Sequence, residues 1–213
     1  MLGGLEAQNC AIVTQWLAQL EQTLGQSDSQ SLKALFLPQS YWRDVLALTW
    51  NIQTLCGAET ISDAISERSK NAGLSNIQLE LADMPPRQVI RVGTETIEAF
   101  FTFETTVGRG RGIVRLCPES VGGGRYKAWT ILTALEELVG YEETTGANRP
   151  TGQSYSRDFH GPNWLEQRQE TEAYKDRDPA ALVVGGGQAG LSVAARLTQL
   201  GIDTLIVDKH KRI

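Results

Sequence analysis

Between residues 5 and 24 a large apolar side chain returns at every fourth position. Ile12, Trp16, Leu20 and Leu24 fall on one stripe of a helix, with polar residues between them. GQSDSQS follows as a loop and supplies N-cap candidates for a second segment, SLKALF, which Pro38 interrupts. YWRDVLALTWNIQTLCG is dense in large apolar residues. Its first part, Asp44 to Leu48, reads as helical, while the pattern of TWNIQTLCG fits a strand and a helix continuation equally. ETISDAISERSKNA then spaces Ile61, Ala64, Ile65 and Arg68 along a helix over 59–72, with Gly73 as its stop.

The period changes after Gly73. IQLELADMPP, TETIEAFFTFETT, RGRGIVRLCPES and GRYKAWTILTALEEL alternate partly with period two, and Gly, Pro or Ser bound each of them. GRGRG, from Gly108 to Gly112, reads as a hairpin connection between two strands, and VGGGRY, from Val121 to Tyr126, as another. Helices followed by an antiparallel meander predict an α+β cone-like domain over residues 1–148, with helices on one face of a curved antiparallel sheet. Residues 149–178 are polar and rich in turn formers near their start, and read as a linker. A short helix is expected in its second half, where Asn163 and Glu166 have capping-box spacing and Trp164 and Leu165 are available to pin the helix down.

Residues 179–213 alternate differently. AALVV is a short apolar run of the kind a buried parallel strand uses. LSVAARLTQL has helical spacing and stops at Gly201, and DTLIVD is a second buried strand ending on Asp208. The turn between the first strand and the helix is Gly185-x-Gly187-x-x-Gly190. Gly185 permits the tight turn, Gly187 lets a pyrophosphate approach the backbone, and Gly190 lets the helix lie close on the strand. The helix N-terminus offers N–H donors and a partial positive charge to phosphate. Asp208 stands where an acid accepts hydrogen bonds from an adenosine ribose. The expectation is the first β-α-β unit of a Rossmann-type dinucleotide-binding domain. The Asp208 charge opposes a 2′-phosphate, despite Lys209, Lys211 and Arg212 nearby, and the local physics leaves FAD and NAD unseparated.

Composition narrows this picture only a little. The 213 residues are 41% hydrophobic and 21% charged with formal net charge −5, ordinary for a globular chain and unsuited to general nucleic-acid binding. No apolar run has membrane-spanning length, and the N-terminus lacks the pattern of a secretory signal. Cys10, Cys56 and Cys117 are far apart with no CxxC, which reads as reduced thiols and a cytoplasmic location. With His160 and His210 as the only histidines, no zinc site or histidine triad is expected.

VVGGGQAGLSVAARLTQLGIDTLIVDKHKRI resembles the first FAD-binding segment of flavin-containing monooxygenases, including the Baeyer–Villiger and indole-pyruvate branches. More narrowly, the chain resembles fungal and bacterial members with an extra N-terminal domain. YWRDVLALTWNIQT, VGRGRGIVRL, YKAWTILTALEEL and GPNWLEQRQE have counterparts in that order. The resemblance implies a cone-shaped fold like nuclear-transport-factor and polyketide-cyclase-like proteins for the first domain. It implies that Gly185, Gly187, Gln188, Ala189 and Gly190 line the FAD pyrophosphate and that Asp208, where many members carry Glu, holds the ribose. In the family a flavin-ring segment and a second glycine motif for NADPH follow. The chain is therefore expected to be the N-terminal piece of a longer FAD- and NADPH-dependent monooxygenase acting on a small molecule, inactive and unable to grip FAD tightly by itself.

No catalytic residue is assigned within the 213 positions. Two other readings are an NAD-dependent dehydrogenase and a non-catalytic role for residues 1–148, as a ligand-binding module or a homodimer contact. For the latter, Trp42, Trp50, Phe101, Phe103 and Trp129 are the aromatic candidates for a pocket, although the same residues read more simply as core. Arg43, Asp44, Arg109 and Arg111 are charged candidates that read more simply as solvated groups.

Overall fold

The computed structural model describes residues 4–26, 28–82, 84–120, 124–146, 149 and 161–210, with Trp164 described in its backbone only. The chain divides into two compact units, Met1–Val139 and Gly140–Ile213. No helix among the described residues is long and apolar enough to cross a membrane.

The first unit packs helices α1 (Gly4–Gln26), α2 (Ser29–Ala34) and α3 (Ala58–Ala72) against seven strands. These are β1 (Phe36–Val45), β2 (Ile52–Cys56), β3 (Ser75–Leu79), β4 (Arg87–Arg91), β5 (Thr94–Glu104), β6 (Gly108–Pro118) and β7 (Tyr126–Leu138). The strand order is β2-β1-β7-β6-β5-β3, with β4 also paired to β5. The sheet is mixed and not purely antiparallel, because β1 runs parallel to β7. Breaks in register between β1 and β7, β3 and β5, and β6 and β7 bend it.

The α1 stripe does what its spacing requires. Trp16 and Leu20 are buried with Val13 and Leu17, and Ile12 and Leu24 pack at the edge of the same core. The Trp16 indole N–H donates to the Leu35 carbonyl at 3.1 Å, and its ring meets Phe36 edge-on at 6.1 Å. Asp28 caps α2 by accepting from the Ser31 N–H, and Gly73 ends α3 in the left-handed conformation at φ 63°.

Three local expectations are corrected. Asp44 to Leu48 is not helical: Asp44 lies near the end of β1, and a turn carries the chain into β2. GRGRG is no hairpin connection but the first half of β6. Gly110 pairs with Phe103 and Gly112 with Phe101, and a Cβ on either glycine would stand 2.1–2.4 Å from ring atoms. Large rings on β5 therefore fold over bare backbone on β6, and the connection itself is Thr105–Val107. Pro38 is not what ends SLKALF, since α2 stops at Ala34 and Pro38 lies inside β1. It sits in the register break between Phe36 and Tyr41, where the strand needs no ladder donor. The VGGGRY turn has Val121–Gly123 outside the described residues; its flanking strands pair antiparallel, Pro118 opposite Tyr126.

On the sheet face opposite Phe101 and Phe103, a buried carboxylate organises three cations. Glu98, 4% exposed, takes hydrogen bonds from Arg87 and Arg91 and from Arg115 at 2.8 Å, 2.9 Å and 2.8 Å. Burial pushes its carboxyl upward, but the hydrogen bonds from Arg91, Arg87 and Arg115 outweigh it and hold the pKa at about 2. An unfolded glutamate protonates near its ordinary value, so between about pH 4.5 and 2 the unfolded chain binds more protons and stability drains away as pH falls. Glu98→Gln is expected to lower stability at neutral pH by about 2 kcal/mol. It should also flatten the fall in melting temperature on acidification below about pH 5. Parallel acid profiles for parent and variant would exclude Glu98 as the source of that sensitivity.

Candidate functional site

The second unit contains helix α4 (Trp164–Glu172), strand β8 (Ala181–Val184), helix α5 (Gln188–Gln199) and strand β9 (Thr204–Val207). The Asn163 capping box is complete, with Glu166 N–H on Asn163 Oδ1 at 3.0 Å and Asn163 N–H on Glu166 Oε2 at 2.9 Å. Leu165 does not pin this helix, being 55% exposed. Most of the predicted linker's first half, including His160, lies outside the described residues. Before β8, Tyr174 and Arg177 both hydrogen-bond the Asp203 carboxylate, at 2.8 Å and 3.2 Å.

β8 and β9 pair in parallel, Ala181 opposite Thr204 through Val184 opposite Val207, with α5 crossing between them. The expected strand, turn, helix and strand are therefore all present. The strands are not buried on both faces as AALVV and DTLIVD suggested. A two-stranded sheet with one helix covers one face, and Leu182 and Val184 remain 57% and 81% exposed.

The three motif glycines have distinct geometries. Gly185 turns the chain at φ 107°, a conformation that side chains rarely adopt, and its N–H is held by the Val207 carbonyl at 2.8 Å. Gly187 is the N-cap of α5 at φ −73°, and a Cβ there would meet nothing within 4 Å. Gly190 is the opposite case: a Cβ would lie 1.9 Å from the Gly185 carbonyl oxygen and 3.3 Å from Val183 Cγ1. Only glycine lets α5 start this close to β8.

The α5 N-terminus carries no side-chain cap, since its N-cap is a glycine. The first N–H to bond back is that of Leu191, on the Gly187 carbonyl at 2.9 Å. Gln188, Ala189 and Gly190 therefore present helix-start N–H groups, where helix geometry provides no carbonyl partner. Such a group of donors at the positive end of a helix suits an anion.

Asp208 follows β9 and reaches back to the loop. Its Oδ2 accepts the Gly186 N–H at 2.8 Å; its Oδ1 accepts the His210 backbone N–H at 2.8 Å and lies 2.7 Å from His210 Nδ1. The Gly186 and His210 N–H groups, followed by the His210 ring, hold the Asp208 carboxyl below the usual carboxylate range. The group is thus a fixed, ionised acceptor beside the glycine loop. Asp208 is legible from sequence, whereas Gly186 and His210, the groups that orient it, are not. The D-x-H spacing is the available signal, because aspartate commonly accepts from the N–H two residues on. Lys209 is exposed, while Lys211 and Arg212 lie outside the described residues.

These features fit a dinucleotide. The loop keeps side chains away from the helix start, and Asp208 Oδ2 has one bond to a described residue, leaving lone-pair capacity for a ribose hydroxyl. The proposed ligands Gly185, Gly187, Gln188, Ala189, Gly190 and Asp208 come together at one end of the β8–β9 pair.

The other candidates do not converge. Trp42, Phe101 and Phe103 are core residues at 0%, 2% and 1% exposure, and Trp50 points outward at 60%. Trp129 lines an open cleft. Asp44 is fully buried and bonded within the fold. Arg43 donates to Thr54, Arg109 pairs with Glu137, and Arg111 lies 4.8 Å over the Phe100 ring. Among the described residues no cluster of His, Cys, Asp or Glu has the makings of a metal site.

Residues 178–213 match the family described as FAD binding domain, which supports FAD as the cofactor of this segment. No curated protein matches the chain. Among solved structures, the chain is similar to a nuclear transport factor 2-like superfamily protein from Salmonella enterica serovar Typhimurium. Identity is 14% over 68% of this chain and 99% of that one, with a TM-score of 0.43. It is also similar to a nuclear transport factor 2-like protein with a cystatin-like fold from Novosphingobium aromaticivorans, at 12% identity over 62% of this chain and 84% of that one, TM-score 0.42. A cystatin-like fold protein from Burkholderia xenovorans aligns at 20% identity over 60% and 92%, TM-score 0.38.

Proposed function

We propose that this chain belongs to an FAD-dependent, NADPH-consuming monooxygenase and that residues 185–190 and Asp208 bind the ADP half of FAD. The observation that carries the cofactor assignment is the uncapped start of α5, set against an oriented carboxylate at the end of the neighbouring strand. The match of residues 178–213 to an FAD binding domain supports FAD over NAD. The monooxygenase class rests on the ordered resemblance of four further segments.

When bound, FAD would supply the redox chemistry of such enzymes, taking electrons from NADPH and activating O₂. The residues of this chain have a different task. The Gln188, Ala189 and Gly190 N–H groups would hold the diphosphate, and the bare Gly187 would leave room for it. Asp208, kept ionised by Gly186 and His210, would accept from ribose hydroxyls and oppose any nucleotide bearing a 2′-phosphate there.

The test is competition on the full chain. FAD should displace a fluorescent ADP-containing probe at lower concentration than NAD, and NADP should be the weakest. Asp208→Asn should weaken FAD by about tenfold, the worth of one charged hydrogen bond. NADP binding tighter than FAD would defeat the assignment. In the complete gene product, a protein without flavin absorbance that fails to oxidise NADPH when given FAD would defeat the monooxygenase reading.

A further inference from the structure

On the sheet face opposite the Phe101–Phe103 core, an apolar cleft adjoins the Glu98 cluster. The register break in β1 leaves Leu37 and Pro38 standing away from β7, and Trp129 lies opposite that break. Together with Gln39, Thr94, Cys117 and Pro118 these residues line an open cleft of about 650 Å³, within the usual range for a small-ligand site. Cys117 is 4% exposed, and burial pushes its thiol pKa up, as expected of a neutral apolar wall.

The register connects this cleft to the arginines. Arg115 stands two residues before Cys117 on β6 and so shares its face of the sheet. Arg91 is the cross-strand partner of Thr94 on the other side of the cleft floor. Arg87, Arg91 and Arg115 bring three positive charges to one carboxylate, Glu98, so the cluster retains a surplus of two. Their side chains are 45%, 41% and 31% exposed, while Glu98 is 4% exposed, so the cations and not the anion face solvent. Lys127, opposite Cys117, adds to the same field, offset by Glu119. In a chain of net charge −5 this is a local inversion of sign.

We infer that this cleft binds a small aromatic carboxylate, its ring against Trp129 and the prolines and its carboxylate toward the Arg91–Arg115 edge. Arg91 places its Nε and Nη2 on Glu98, and its Nη1, which has no bond to a described residue, is a charge-assisted donor suited to a second carboxylate. Stacking on Trp129 favours an aromatic over an aliphatic body. The inference is independent of the FAD assignment, since every residue it uses lies in the first unit.

Isothermal titration of the full chain with phenylacetate tests it, with phenylacetamide as the neutral isostere and acetate as the ringless anion. Phenylacetate is expected to bind with a Kd of about 1 mM or tighter, and both controls about tenfold more weakly, the scale of one charged hydrogen bond or one lost stacking contact. Trp129→Ala and Arg91→Gln should each reduce affinity about tenfold in proteins whose melting confirms a folded sheet. Should Arg91→Gln fail to fold, Arg115→Gln, on the same edge and with a single bond to Glu98, should still weaken phenylacetate and leave phenylacetamide unchanged. Equal binding of phenylacetate and phenylacetamide, or no binding of either, overturns the inference. So do folded Trp129 and arginine variants that bind like the parent.

Discussion

Asp44→Ala is expected to cost the first unit about 3–5 kcal/mol, the largest stability effect of any single substitution considered for this chain. The Asp44 side chain is fully buried. Its Oδ1 accepts from the Thr133 hydroxyl at 2.6 Å, and its Oδ2 from the Thr49 hydroxyl and backbone N–H at 2.6 Å and 2.8 Å. The Leu48 N–H reaches both oxygens at 3.2 Å. Thr133 in turn accepts the Trp42 indole N–H at 2.9 Å, so the carboxylate anchors a chain of donors running from the core to the turn. That turn holds Leu46 and Trp50 at φ 64° and 53°, conformations that non-glycine residues adopt at a cost. Alanine would leave buried donors without acceptors and release the turn. Asp44→Asn keeps the shape but turns an NH₂ toward donors, and should lose about half as much. Chemical denaturation of the full chain measures both. A loss below about 1 kcal/mol for alanine would show that the network is not holding the turn.

Gly190→Ala should have the largest effect on cofactor binding, about 10–100-fold, because it displaces the start of α5. Its Cβ would enter the space of the Gly185 carbonyl oxygen at 1.9 Å, a backbone atom with no soft way out. Gly187→Ala provides the contrast. Its φ of −73° is open to any residue and no atom lies within 4 Å of the new Cβ, so the fold should be unchanged while FAD weakens. Loss of amide protection along α5 in Gly190→Ala but not in Gly187→Ala would separate the two causes. A Gly190→Ala protein that binds FAD like the parent would show that the close approach of helix and strand is not required.

The elements that were readable from sequence are those whose signal is local. The α1 stripe, the Gly73 stop, the Asn163 capping box and the β-α-β order of 181–207 each depend on residues within a few positions of one another. What was misread depends on distant partners. The Asp44–Leu48 segment looks helical because no glycine or proline marks its turn; the turn is closed by the Asp44 carboxylate on Leu48 and Thr49, and that carboxylate is itself held by Thr133, 89 residues away. GRGRG looks like a turn because its glycines are permissive, yet Phe101 and Phe103 on the next strand need them bare. β4 was missed because Arg87–Arg91 is a short edge strand with little apolar signal. At the candidate site the glycines and Asp208 were legible from spacing. The Gly186 and His210 bonds that fix Asp208 were not, since they depend on where β9 ends.

The most direct test of the central claim is to follow the backbone amides of Gln188, Ala189 and Gly190 by ¹⁵N NMR while the full chain is titrated with FAD and, separately, with riboflavin. Diphosphate binding at the α5 start predicts large shifts of these three amides, and of Gly186, with FAD, and none with riboflavin, which has the ring but no phosphate. Equal shifts with both ligands, or FAD-induced shifts confined to other residues, would contradict it.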